Sequence, residues 1–224
     1  MRVIDDLNPT QTRIVGVLLE KEQATPEYYP LTVNGLLAAC NQKSNRDPVM
    51  ALSEGELWDE LEALRVEVLV WRSEGARAQR WSQSISRRLE LDPEEKAVLT
   101  LLMLRGPQTV GELRTRSQRL HAFDSLAEVE SALRRLATEE RDLVREMPRQ
   151  PGQKENRWLQ LLGGEPSQRD ASKAPSEVVA GIETSPQPAA PAGDPNLSDR
   201  VASLEVQVDE LRASIERLLS ELGS

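Results

Sequence analysis

The first 164 residues carry one layout twice, and that repeat restricts the fold more than any other feature of the chain. Asn8-Pro9 stands ahead of an apolar run at Ile14, Val15, Val17, Leu18 and Leu19; Asp92-Pro93 stands ahead of Val98, Leu99, Leu101, Leu102 and Met103, at an offset of 84. In both copies the Asn or Asp side chain accepts from free backbone N–H groups of a helix start, and proline at the first helical position gives up an N–H that had no partner. A second helix is predicted from Thr32 and from Thr109, with Val33 and Leu36 answered by Val110 and Leu113 at an offset of 77. A third follows from Ser53-Glu54-Gly55-Glu56 and from Ser125-Leu126-Ala127-Glu128, both S-x-x-E capping boxes. Leu57, Leu61 and Leu64, and likewise Val129, Leu133 and Leu136, then fall on one buried helical stripe.

Each third helix runs into a hairpin pattern, from Val68-Leu69-Val70-Trp71 to Arg80-Trp81 and from Leu143-Val144 to Arg157-Trp158-Leu159. Three helices, the last two forming a helix-turn-helix, closed by a two-stranded wing, make the winged-helix plan. The fold class expected is mainly α with small β wings (α+β). Two tandem winged-helix domains are placed at residues 1–90 and 91–163, with a linker at 164–196 and a coiled-coil helix at 197–222. The linker is rich in Pro, Ala, Ser and Gly without an apolar period, a composition that predicts disorder.

The stretch Leu18–Met50, LLEKEQATPEYYPLTVNGLLAACNQKSNRDPVM, resembles the YceH family of uncharacterised bacterial proteins, and the similarity runs through both repeats to the linker. The resemblance implies tandem winged helices. It implies no activity, and it carries no functional residues onto this chain.

Enzymatic chemistry finds little support in the residues. His121 is the only histidine and lies between Leu120 and Ala122 with no nucleophile signature beside it. Cys40, the only cysteine, ends the apolar run LLAAC and reads as a small buried side chain rather than a reactive thiol. One cysteine and one histidine do not make the usual four-ligand zinc set, and there is no phosphate-cradling glycine loop. A non-enzymatic protein without cofactor or metal is therefore expected. With no apolar run near the ~20 residues of a membrane span, and with an opening MRVIDDLNPTQ unlike a signal peptide, it is expected off the membrane and in the cytoplasm.

Duplex DNA is the first partner to weigh, because a winged helix lays its third helix in the major groove and its wing on the backbone. The formal charge of −9 opposes a general polyanion binder. So does the first copy's third helix, where Glu54, Glu56, Asp59, Glu60, Glu62 and Glu67 face Arg65 alone. The expected nucleic-acid residues are therefore the turn, Asn41, Gln42, Lys43, Ser44, Asn45 and Arg46, and the basic wing residues Arg72, Arg77 and Arg80. The alternative for the turn is local loop hydrogen bonding. For the protein as a whole the alternative is a module that grips a protein partner, which suits acidic third helices better. Of the wing tryptophans, Trp81 and Trp158 recur at one place and read as core closure; packing against helix 1 is expected of Tyr28-Tyr29-Pro30.

The tail holds a heptad seam with Val201, Val208 and Ile215 at a positions and Leu204, Leu211 and Leu218 at d positions, the combination that favours parallel two-stranded coils. Arg200 and Glu205 would attract each other across that dimer. A homodimer is expected. Truncation before Leu197 should halve the mass measured by light scattering, and an unchanged mass would refute the seam's role.

Overall fold

Side-chain caps set where the helices begin in the computed structural model, which describes residues 7–74, 78–149 and 151–164. Helix α1 (Pro9–Ala24) starts on a reciprocal box: Gln11 N–H donates to Asn8 Oδ1 at 2.8 Å and Asn8 N–H to Gln11 Oε1 at 3.1 Å. Helix α5 (Pro93–Arg105) repeats the device with Asp92 and Glu95. Thr32 caps α2 (Val33–Cys40), Thr109 caps α6 (Val110–Arg116) and Ser53 with Glu56 boxes α3 (Glu54–Val66). At α7 (Leu126–Leu136) only half the expected box forms: Ser125 accepts from Glu128 N–H, but Glu128 turns its carboxylate to the Asp124 N–H at 3.0 Å.

The strands are short. Strand β1 (Leu31–Thr32) pairs with β3 (Gln79–Gln83), which pairs with β2 (Val70–Glu74), giving an antiparallel sheet in the order β1-β3-β2. A single turn of helix, α4 (Ile85–Arg88), leads to the second copy, whose strands β4 (Val144–Met147) and β5 (Arg157–Gln160) pair antiparallel. Among the described residues the chain is thus mixed helix and small antiparallel sheet, seven helices and five strands besides a 3-10 turn at Pro26–Tyr28. The two hairpins share one register. Trp81 stands opposite Arg72 and bonds across to Leu31, while Trp158 stands opposite Glu146 and bridges to Gln108.

One hydrophobic cluster runs through both copies. The eight residues Thr12–Leu19 of α1 and the eight residues Ala97–Leu104 of α5 are all buried, so neither helix keeps a polar face along these turns. That pattern belongs to a helix covered on every side. Each is wrapped by its own copy's helices, and α1 and α5 cover each other. Gly16 lets the two backbones approach, because a Cβ there would lie 2.9 Å from Leu104 Cδ2 and 3.2 Å from Met103 Cβ. The described residues fall within one compact unit.

Among the described residues no helix is long and apolar enough to cross a membrane. The linker beyond residue 164, the heptad segment 197–222 with Val201, Leu204, Val208, Leu211, Ile215 and Leu218, and Arg77 of the wing lie outside the described residues. Gly16→Val should wedge α1 from α5 and cost about 1–3 kcal/mol, the usual penalty of overpacking. A lower Tm for a chain that still folds is the expected outcome; an unchanged Tm would mean the helices do not rest on each other.

Candidate nucleic-acid interface

The turn between α2 and α3 is shaped from inside by two arginines. Helix α2 ends with its last carbonyls unpaired within the helix and with no basic residue in its own last turn. Arg13 of α1 fills one role, donating from Nη1 to the Cys40 carbonyl at 3.0 Å and from Nη2 to the Pro48 carbonyl at 2.5 Å. Arg46 fills the other, donating from Nε to the Ala39 carbonyl at 3.2 Å. Its two terminal nitrogens grip Glu20 of α1 at 3.0 and 2.6 Å, the bidentate geometry in which a guanidinium is strongest. Cations at a helix C-terminus also meet the negative end of its dipole. Burial first, and then the neighbouring Arg46, hold the Arg13 guanidinium below its usual pKa, while burial pushes the Cys40 thiol beside them up to about 12.

This geometry sorts the six residues expected at the turn. Arg46, an expected phosphate contact, is 6% exposed and spent on Glu20, so it builds the turn and presents nothing to a ligand. Asn41 closes the loop's neck, accepting from Leu52 N–H and donating to Leu52 O, both at 2.8 Å. Local loop bonding is thus the role of these two. Asn45 adopts a left-handed backbone, φ 61°, and accepts from Arg105 of α5. Asp47 N–H reaches the Leu104 carbonyl at 2.8 Å and ties the loop to the same helix. Gln42, Lys43 and Ser44 remain at the exposed tip.

The tip does not stand alone. Gln42, Ser44 and Asn45 share a cleft of ≈ 590 Å³ with Thr115 and Arg116 at the end of α6 and with Gln118 and Arg119 of the turn that follows it. Lys21 and Arg105 line it too, against one carboxylate, Glu20. Sequence reasoning missed Lys21 and Arg105; the signal available was their place in the last turns of α1 and α5. Among the described residues Lys43 and Arg119 make no ion pair.

The arginines of the first hairpin are more engaged. Arg72 donates to Glu62 of α3 at 3.0 Å and lies 6.0 Å from the centre of the Trp81 ring, at the outer reach of a cation–π contact. Arg80 donates to the Pro30 carbonyl at 2.7 Å. In the second copy Arg157 pairs with Glu112 at 2.9 Å. Three acids of α3 are engaged: Glu62 also holds Arg65, Glu60 accepts from Asn8, and hydrogen bonds from Ser53 keep the Glu56 carboxyl below its ordinary range. Trp81 and Trp158 are buried at the hairpins, with Trp58 of α3 edge-on to Trp81 at 5.7 Å, whereas Trp71 is exposed. Tyr29 packs against the core and its hydroxyl accepts from Gln83 N–H at 2.6 Å; Tyr28 points to solvent. Among the described residues no group of His, Cys, Asp and Glu is arranged to hold a metal ion.

A family match covers both turns and the first hairpin and ends before β5. Residues 7–153 match the sequence profile of a family described as "Protein of unknown function, DUF480". UPF0502 protein GSU0233 of Geobacter sulfurreducens is 46% identical over 206 residues, covering 92% of this chain and 90% of that protein. UPF0502 proteins of Geotalea uraniireducens and Shewanella loihica are 44% and 42% identical over 222 residues, covering 97% and 96% of this chain and 97% and 99% of theirs. The chain belongs to this DUF480 (UPF0502) family, in keeping with the resemblance drawn from Leu18–Met50.

Removing Glu20 isolates a test of the turn's construction. Glu20→Ala leaves the Arg46 guanidinium, whose side chain is 0% exposed, without its carboxylate. Orphaning one member of a buried pair costs about 3 kcal/mol. The expected result is a comparable loss in urea unfolding, together with faster amide exchange at residues 41–47. A loss within experimental scatter would contradict the clamp.

Proposed function

We propose that this chain is a non-enzymatic protein of two tandem winged helices, residues 1–90 and 91–163, that binds duplex DNA through the face where its two turns meet. The order helix, helix, helix, hairpin in both copies supports the winged-helix reading, as does the shared hairpin register. The observation that carries the DNA reading is the cleft itself: Gln42, Ser44 and Asn45 of one turn and Thr115, Arg116, Gln118 and Arg119 at the end of α6 and beyond, with Lys21 and Arg105, line one concave face with amides, hydroxyls and cations, of which Lys21, Arg105 and Arg116 are also bonded within the protein. Those are the groups that contact phosphates and base edges. The acidic α3 then does not need to enter the major groove, which its carboxylates oppose.

The wing contributes less than its charge suggests, because Arg72 and Arg80 are already donating within the protein. With a chain of −9, contact is local and mostly with phosphates, so affinity falls steeply with salt. In this reading the heptads at 197–222 pair two chains, and the homodimer offers two such faces to one duplex in the cytoplasm.

The test is a salt titration of binding to random duplex. Each phosphate contact contributes about 0.9 to the slope of log affinity against log salt. The double variant Lys43→Ala/Arg119→Ala should flatten the slope by about 2 and weaken binding equally on unrelated sequences. Absence of binding at low salt, or an unaltered slope in the variant, would overturn the proposal.

A further inference from the structure

The two hairpins can be compared position by position, and at the base of the wing they differ in chemistry while sharing a backbone. Leu69 N–H bonds to the carbonyl of Leu64 in the last turn of α3; Leu143 N–H bonds to that of Leu136 in the last turn of α7. The residue before each leucine is left-handed: Val68 at φ 57° and Asp142 at φ 42°. Aspartate tolerates that region, and a β-branched residue there is a steric outlier. The turn therefore does not ask for valine. Nor does the core, since Val68 is 49% exposed. Two residues after the leucine, Trp71 is 57% exposed where the second copy has the exposed Arg145. Val66, at the end of α3, is 72% exposed. A strained, exposed valine beside an exposed tryptophan keeps apolar surface in water at a place where the same fold accepts charge.

This surface borders a cleft of ≈ 720 Å³ with Val68, Trp71 and Tyr29 on its apolar side and Arg87 and Arg88 on its rim. The one carboxylate lining it, Glu22, is held by Lys96 and accepts from Gln83. Arg88 is already engaged, donating to the Glu67 carbonyl at 2.7 Å, so Arg87 carries the positive charge of the rim. We infer that the base of the first wing is a docking site for an acidic segment of a protein partner, which seats an apolar side chain on Val68 and Trp71 and sets a carboxylate toward Arg87. Charge complementarity selects this occupant: an apolar floor with a basic rim rewards apolar anchors flanked by Asp or Glu. Trp71 supplies the large amphipathic area typical of residues that dominate interface energies. No residue of this cleft lines the turn face, so the two sites are separate on the chain.

The second copy also supplies the test. Val68→Asp/Trp71→Arg writes its residues onto the first wing, and Val68→Asp relieves the backbone, so the variant should fold with an undiminished Tm. Random short peptides displayed on phage are selected on the immobilised full chain, and the enriched peptides are titrated against wild type and variant. Tryptophan emission is the second readout, with a Trp71→Phe chain as its blank, since Trp71 is exposed while Trp58 is half-buried and Trp81 and Trp158 are buried. The expected result is enrichment of peptides pairing apolar anchors with acids. They should shift Trp71 emission to the blue, bind the variant at least about tenfold more weakly, and weaken again with Arg87→Glu. That last variant keeps the test valid if the double substitution disturbs folding. Failure to enrich, enrichment of basic or neutral peptides, or equal binding to all variants would overturn the site. So would a variant that loses DNA affinity or changes in mass while keeping its peptides, because the patch would then serve DNA or a second copy.

Discussion

Two guanidinium groups buried against the end of α2 determine the shape of the surface this protein offers. Arg13 and Arg46 take charge out of water, which is expensive unless acceptors are at hand. The acceptors are the Ala39, Cys40 and Pro48 carbonyls and the Glu20 carboxylate. The same bonds that hold the terminal nitrogens of Arg13 and the guanidinium of Arg46 satisfy the helix end and hold the loop, so neither the helix terminus nor the turn can rearrange without stranding a charge. Lys43 and its neighbours are exposed because the rest of the loop is pinned beneath them.

The clamp belongs to α1, and α1 belongs to both copies. Its close approach to α5 at Gly16 makes one core of two repeats, and Asp47 and Asn45 extend the contact from the turn to the end of α5. The two turns are neighbours for this reason. Sharing a core also frees the copies to diverge at the surface. The hairpins keep one register, but where the first carries Trp71 and Arg72 the second carries Arg145 and Glu146.

Much of the fold was legible because the signals that define it are local. Asn8-Pro9, Asp92-Pro93 and Ser53-x-x-Glu56 act within a single helical turn, and Leu57, Leu61 and Leu64 report their burial by spacing alone. What was not legible depends on distant partners. Asn41 and Arg46 look like part of a polar, ligand-facing run; only the arrival of Leu52 and Glu20 from elsewhere in the chain converts them into structure, while Asn45 is tied to Arg105 and still lines the cleft. Arg13, in an otherwise apolar run, and Gly16 beside it were the visible signs, since a buried charge and a mid-helix glycine each require a reason from outside the helix. The hairpin arginines Arg72 and Arg80 were legible as charge, whereas their engagement with Glu62 and the Pro30 carbonyl was not.

The central claim is that two turns from two copies form one nucleic-acid face. Amide chemical-shift mapping with a short duplex examines both turns at once. The account predicts that residues 42–45 and 115–119 shift together along one binding curve while the exposed side of α3 stays still. Shifts confined to α3 and the hairpin tip, or to one turn without the other, would contradict it.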